Sequence, residues 1–156
     1  MKYVKITFQT LPRVMYAVTS EMKNFLTTSR CNPYLEMTYA EKGDFWVEFA
    51  NHERILVSEG YFVLFPPYLK YEIGFSDTTV MHTFISIALI LDDNPCELVD
   101  KEQIQPEKLD RTILVRNESL YLPLYDNYSV DDSVFASMKK LAKTFKKYGD
   151  YANITC

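Results

Sequence analysis

The chain predicts a mainly β domain, an antiparallel barrel followed by one C-terminal helix, and three observations carry that expectation. Short β-branched and aromatic runs with closely spaced turns fill the first two thirds, the pattern of an antiparallel barrel or sandwich. Two stretches, Arg30 to Gly43 and Gly60 to Tyr71, each place glycine, proline and polar residues at a distinctive spacing of their own. In the last third the apolar period lengthens to that of a helix. With 156 residues and 47% hydrophobic content, a single domain can bury a proper core.

The elements follow in order. Tyr3 to Phe8 and Val14 to Thr19 read as strands separated by the break Leu11-Pro12-Arg13, and together suggest a leading sheet ahead of the barrel. Tyr34 to Ala40, Phe45 to Ala50, Arg54 to Ser58 and Gly60 to Phe65 follow as strands. Their turns fall at Lys42-Gly43-Asp44, Asn51-His52-Glu53 and Glu59-Gly60. Tyr71 to Phe75 and Thr79 to Leu91 continue the sheet. The charged, proline-bearing segment Asp92 to Asp110 reads as a surface excursion with a helical turn near Pro106 to Leu109. From Asp132 to Tyr148 the residues Val134, Met138, Leu141 and Phe145 fall on one helical stripe, with Lys139, Lys140, Lys143, Lys146 and Lys147 on the other side or its edges. Ser129, Asp131 or Asp132 can cap the start, and Gly149 is expected to end the helix. The stripe suits either a dimer or interdomain contact or packing on its own barrel. The expected division is therefore 1–128 for the barrel with its leading strands and 129–156 for a helical dimerisation and linker segment, cut before a further domain.

Composition excludes several functions. A net charge of -4 argues against a nucleic-acid-binding face on this segment, because phosphate recognition needs basic groups. No stretch approaches the ~20 apolar residues of a membrane span, and the N-terminus lacks a signal-peptide core, so a cytoplasmic protein is expected. Cys31, Cys96 and Cys156 form no disulfide framework and no CxxC, and read as reduced thiols. His52 falls in a polar hairpin and reads as solvated; His82, mid-strand, reads as a hydrogen-bonded structural residue or as a pocket group. There is no G-x-S-x-G, P-loop or dinucleotide fingerprint.

The two spaced stretches carry a resemblance. Arg30, Asn32, Glu36 and Gly43 match the spacing of G-x5-H-x-H-x3-E-x6-G, and Gly60, Pro66 and Tyr71 match G-x5-P-x-G-x2-H. These are the two cupin motifs, which supply three histidines and a glutamate to a metal in a double-stranded β-helix, or jelly roll. The chain thus resembles a cupin-like antiparallel β-barrel in which Arg30, Asn32 and Tyr71 replace the histidines and Glu36 alone remains. Stoichiometric metal and cofactor are accordingly not expected. The phrases Asn32 to Gly43 and Glu59 to Tyr68 are also similar to the N-terminal sensor domain of AraC-type transcriptional regulators, in which Y-E-L-x-Y-x-x-x-G precedes G-D-x-x-L-x-P-P. Here Leu35 is inserted between Tyr34 and Glu36, and Tyr61 stands where an acidic residue is usual. That resemblance covers residues 30–86. It implies an effector-sensing and homodimerising domain whose DNA-binding helix-turn-helix half lies beyond Cys156.

The residues themselves suggest the pocket chemistry. If Glu36 faces inward, strand alternation puts Tyr34, Thr38 and Ala40 on the same face. A carboxylate, a phenol and a hydroxyl then line one wall, with Arg30 at the mouth and Tyr71 and His82 on neighbouring strands. Trp46 and Glu48 share one face of the next strand, and Trp46 would be a stacking surface if that face is the inner one. Arg30 could equally form a surface ion pair, and Trp46 could be plain core. Such a wall suits a small polar organic effector, a sugar for instance. Two functions remain: a metal-free sensor module, or a metal-free cupin enzyme such as a sugar epimerase or isomerase using Glu36, His82 or Tyr71 as acid and base.

Overall fold

The computed structural model describes residues 2–23, 28–50, 54–104, 119–126 and 132–152. Its strands are β1 (Lys2–Thr7), β2 (Arg13–Met22), β3 (Thr28–Arg30), β4 (Leu35–Lys42), β5 (Phe45–Phe49), β6 (Arg54–Val57), β7 (Phe62–Phe65), β8 (Tyr71–Phe75), β9 (His82–Ile90), β10 (Cys96–Asp100), β11 (Ser119–Pro123) and β12 (Tyr125–Asp126), and helix α1 spans Asp132–Ala152. The pairings are nested. β2 pairs with β9, β3 with β8, β4 with β7 and β5 with β6, all antiparallel. The links β4 to β9 and β5 to β8 join these pairs into two facing sheets, β12-β7-β4-β9-β2 and β3-β8-β5-β6. A long hairpin folded back on itself in this way is a jelly roll. The architecture is therefore mainly β, antiparallel, with one C-terminal helix.

Alternation decides which side chains meet between the sheets. On β5, Phe45, Val47 and Phe49 are buried while Trp46 and Glu48 face outward. Phe45, Val47 and Phe49 join Phe62 to Phe65 of β7 and Tyr71 and Phe75 of β8 in one core. The Trp46 indole lies over Gly74, where a Cβ would come within 2.5 Å of it, and the Arg54 guanidinium covers the ring at 4.0 Å. Gly43 closes the β4–β5 turn with φ 77°, and a Cβ there would meet the His82 ring at 2.5 Å, so both its backbone and its bareness are required. Tyr68, at the position of the second glycine in the cupin pattern, also takes a left-handed φ of 62°.

Several expectations are corrected here. The first two strands form no common leading sheet: β1 pairs with β10 and β11, whereas β2 is an edge strand of the barrel beside β9. Cys96–Asp100, expected as a surface excursion, is a strand, tied to β1 by Lys2–Asp100 and Lys5–Glu97 ion pairs at 2.8 and 2.6 Å. The short strands β3, β11 and β12 were not anticipated. The helix runs past Gly149 to Ala152. Gly costs a helix interior only about 1 kcal/mol, too little to stop it unaided.

The stripe on α1 packs on its own barrel. Met138 and Ala142 are buried against Ala17 of β2 and Ile85 and Ile87 of β9, with Phe135, Leu141 and Phe145 around them. Lys139 pairs with Glu41 and lies over the Phe135 ring, and Phe135 meets Tyr39 at 4.5 Å between centroids. Met138 is thus buried within the chain, with Leu141 and Phe145 partly buried beside it. The Val134 side chain, the helix-capping residues, His52, the turn at 106–109 and the segment 153–156 lie outside the described residues.

Candidate ligand-binding site

A cavity of about 460 Å³ lies between the two sheets, within the ~300–1,000 Å³ usual for small-molecule sites. Alternation on β2 aims Tyr16, Val18, Ser20 and Met22 into it, while Ala17 points back to the helix. Glu36 and Thr38 of β4, Phe84 and Ser86 of β9, Arg30 of β3, and Tyr71, Ile73 and Phe75 of β8 complete most of the wall, with Phe65 of β7. The cavity therefore touches both edge strands, β2 and β3, and Arg30 stands exposed at that rim.

The polar groups gather at one end. Asn32 Nδ2 donates to Glu36 Oε2 at 3.0 Å and to the Tyr71 hydroxyl at 2.9 Å. Thr38 donates to Glu36 Oε1 at 3.4 Å and shares a 2.8 Å hydrogen bond with Ser86. The Tyr16 hydroxyl also donates to the Glu36 carboxylate, and the single Ser86 hydroxyl proton serves either Glu36 or Thr38. Burial nevertheless pushes the Glu36 carboxyl above its ordinary range, against the pull of those hydrogen bonds and of the Arg30 charge. Tyr71 is pushed up to about 12, first by burial and then by the Glu36 charge, with Arg30 and Asn32 opposing. Tyr16 is raised, again by burial ahead of Glu36. Both phenols stay protonated at neutral pH.

The cupin spacing thus has a geometric counterpart: Asn32, Glu36 and Tyr71 form one hydrogen-bonded cluster, with Arg30 beside it. The chemistry of the cluster differs from a metal centre. An amide N–H₂ donates into the space between Glu36 and Tyr71, and a guanidinium has no lone pair to give a cation. Among the described residues no group of three His, Cys, Asp or Glu side chains is placed to hold a metal.

Of the expected site residues, Arg30, Glu36, Thr38 and Tyr71 line the cavity. Tyr34 stands one layer back, its ring edge-on to Tyr16 at 5.8 Å. Trp46 does not join them; it lies on the outer face of β5. His82 is fully buried and stacks flat on Phe75, centroids 4.0 Å apart, behind the ring that lines the wall. Neither of its nitrogens has a hydrogen-bond partner among the described residues, so its role is ring packing rather than the polar contact expected. Sequence reasoning missed Tyr16, Ser86 and the apolar far wall, because β2, β9 and β8 are brought to the same cavity as β4 only by the barrel's nested long-range pairing. The Phe45, Val47, Phe49 alternation was a signal that Trp46 faces outward.

No family model matches the chain, and no curated protein matches it. Among solved structures, protein NMB1881 of Neisseria meningitidis aligns at 14% identity and a TM-score of 0.42, over 51% of this chain and 84% of that one. A proposed mannose-6-phosphate isomerase of Ralstonia eutropha aligns at 9% identity and a TM-score of 0.40, over 50% and 82%. At that level the likeness assigns no function. The jelly-roll assignment rests on the strand pairing itself. No helix among the described residues is long and apolar enough to cross a membrane.

Proposed function

We propose that this chain is the effector-sensing domain of a cytoplasmic AraC-type transcriptional regulator, binding a small organic molecule in the barrel without metal-dependent catalysis. The observation that carries the reading is the double use of β2 and β9. Their inward residues Tyr16, Val18, Phe84 and Ser86 line the cavity, while the intervening Ala17, Ile85 and Ile87 seat α1. A ligand that shifts the inner side chains acts on the helix seat one residue away, because successive side chains of a strand share one backbone. The helix would pass that shift to a homodimer partner and to a DNA-binding half beyond Cys156.

The test is a thermal-shift screen followed by amide chemical-shift mapping of a hit. Support requires shifts at cavity residues and at the α1 seat together; shifts that never reach α1 would remove the sensing mechanism. A longer chain carrying residues beyond Cys156 should gain specific duplex binding that responds to the same ligand, and one that binds no duplex would remove the regulator reading.

A metal-free epimerase or isomerase is the second reading, favoured by the buried Glu36 carboxyl between the Tyr16 and Tyr71 hydroxyls. Solvent-deuterium exchange into a sugar substrate, lost in Glu36→Gln, would establish it.

A further inference from the structure

The polar end of the cavity keeps one acceptor site and one donor unspent. Thr38 and Ser86 carry one hydroxyl proton each; their mutual 2.8 Å bond uses one and leaves the other for Glu36. With the donations from Asn32 and Tyr16, the ionised Glu36 carboxylate therefore receives three hydrogen bonds on about four lone-pair sites. One site remains for a ligand. Tyr71, buried in the same wall, accepts from Asn32, and its own hydroxyl proton has no acceptor among the described residues. Both the Glu36 and the Tyr71 oxygen are held by the one Asn32 amide, at 3.0 and 2.9 Å, and so they flank a single small volume. Arg30 already has a partner and supplies only its charge here. Beyond this cluster the lining is Val18, Met22, Phe65, Ile73, Phe75 and Phe84, relieved only by the Ser20 hydroxyl. Phe75 and Phe84 stand 5.5 Å apart with their planes 24° from parallel, a ready aromatic surface.

We propose that the ligand of this cavity is a neutral aryl alcohol or phenol, its single hydroxyl donating to Glu36 and accepting from Tyr71 and its ring laid on Phe75 and Phe84. The proposal rests on the reading of this cavity as the effector site and names the ligand class. A hydroxyl is donor and acceptor at once, so one group satisfies both unspent positions. An ether gives Glu36 no proton, and an ammonium leaves the Tyr71 proton without an acceptor. A carboxylate also has no proton to give, and it sets a second negative charge beside Glu36. A sugar suits the site poorly, since its further hydroxyls would face Val18, Met22 and Ile73 without partners.

A matched series of probes tests this by amide shift titration on the wild-type chain: 2-phenylethanol, its methyl ether, 2-phenylethylamine, phenylacetate and glucose. The alcohol should bind at least about fivefold more tightly than each of the others, with shifts at Tyr71, Phe75 and Phe84. Tyr71→Phe should weaken the alcohol and the ether alike, by about two- to tenfold, because both accept from that hydroxyl, and should keep the gap between them, which comes from Glu36. Equal binding of alcohol and ether, unchanged alcohol binding in Tyr71→Phe, or preference for the amine, the acid or glucose with shifts in the cavity overturns this ligand class while leaving the cavity as the effector site. Shifts confined to residues outside the cavity for every probe, or no binding by any of them, overturn both.

Discussion

Replacing Met138 with Ala tests whether the helix stripe belongs to the barrel or to a second chain. Met138 is 3% exposed within a single chain, seated on Ala17, Ile85 and Ile87. Truncating a buried methionine to Ala costs about 2–5 kcal/mol, from lost transfer free energy and the residual cavity. A helix-on-sheet seam collapses more easily than a barrel centre, so about 2–3 kcal/mol is expected, and Ala and Met differ little in helix propensity. For a domain of this size each kcal/mol lowers Tm by about 2–4 °C, which gives a fall of about 5–10 °C. Urea unfolding should show a lower midpoint with an unchanged slope and no dependence on protein concentration. Lys143→Ala, at an exposed position on the same helix, should stay within about 0.5 kcal/mol. Sedimentation velocity on the same samples completes the assay. An unaltered monomer stability with a weakened dimer would refute the packing argument and return Met138 to an intermolecular seam.

Other expectations concern the site and its supports. The Glu36 carboxyl is raised by burial, so the folded chain holds that proton at pH values where the unfolded chain has released it. Its contribution is then fully present below the unfolded value near 4.5 and is lost as pH rises through the folded one. Glu36→Gln should therefore flatten the loss of stability above pH 4.5, and urea midpoints across pH that stay parallel to wild type would contradict this. Gly43→Ala should cost about 2 kcal/mol or more, from the left-handed φ of 77° and the collision with the His82 ring, measured by urea unfolding. Trp46, the only tryptophan, lies outside the cavity, so saturating ligand should barely change its emission and Trp46→Phe should leave affinity within about twofold. Elemental analysis of the purified chain should find no stoichiometric zinc, iron, manganese or nickel; one metal per chain, lost in Glu36→Ala, would reverse the account of the Asn32 cluster.

The sequence by itself determined the β character, the turn at Gly43, the convergence of Asn32, Glu36 and Tyr71 with Arg30, and an amphipathic helix after the barrel. Those features follow from local rules: side-chain alternation along a strand, the backbone freedom of glycine, and motif offsets that survive changes of the residues they position. Tertiary structure alone decided the rest. Thr38 faces Ser86 and Val18 faces Ser86 across nested pairings that span most of the barrel's sequence, and no local pattern encodes such a register. Cys96–Asp100 became a strand because β1 offered a partner whose Lys2 and Lys5 meet Asp100 and Glu97, charges that otherwise read as a solvated loop. The Met138 stripe had two candidate partners, and the outer face of β2 and β9 took it, because Ala17, Ile85 and Ile87 present an apolar surface that would otherwise face water. His82 sits against Phe75 and Gly43 for a comparable reason: the space beside a bare glycine is filled by the nearest flat ring.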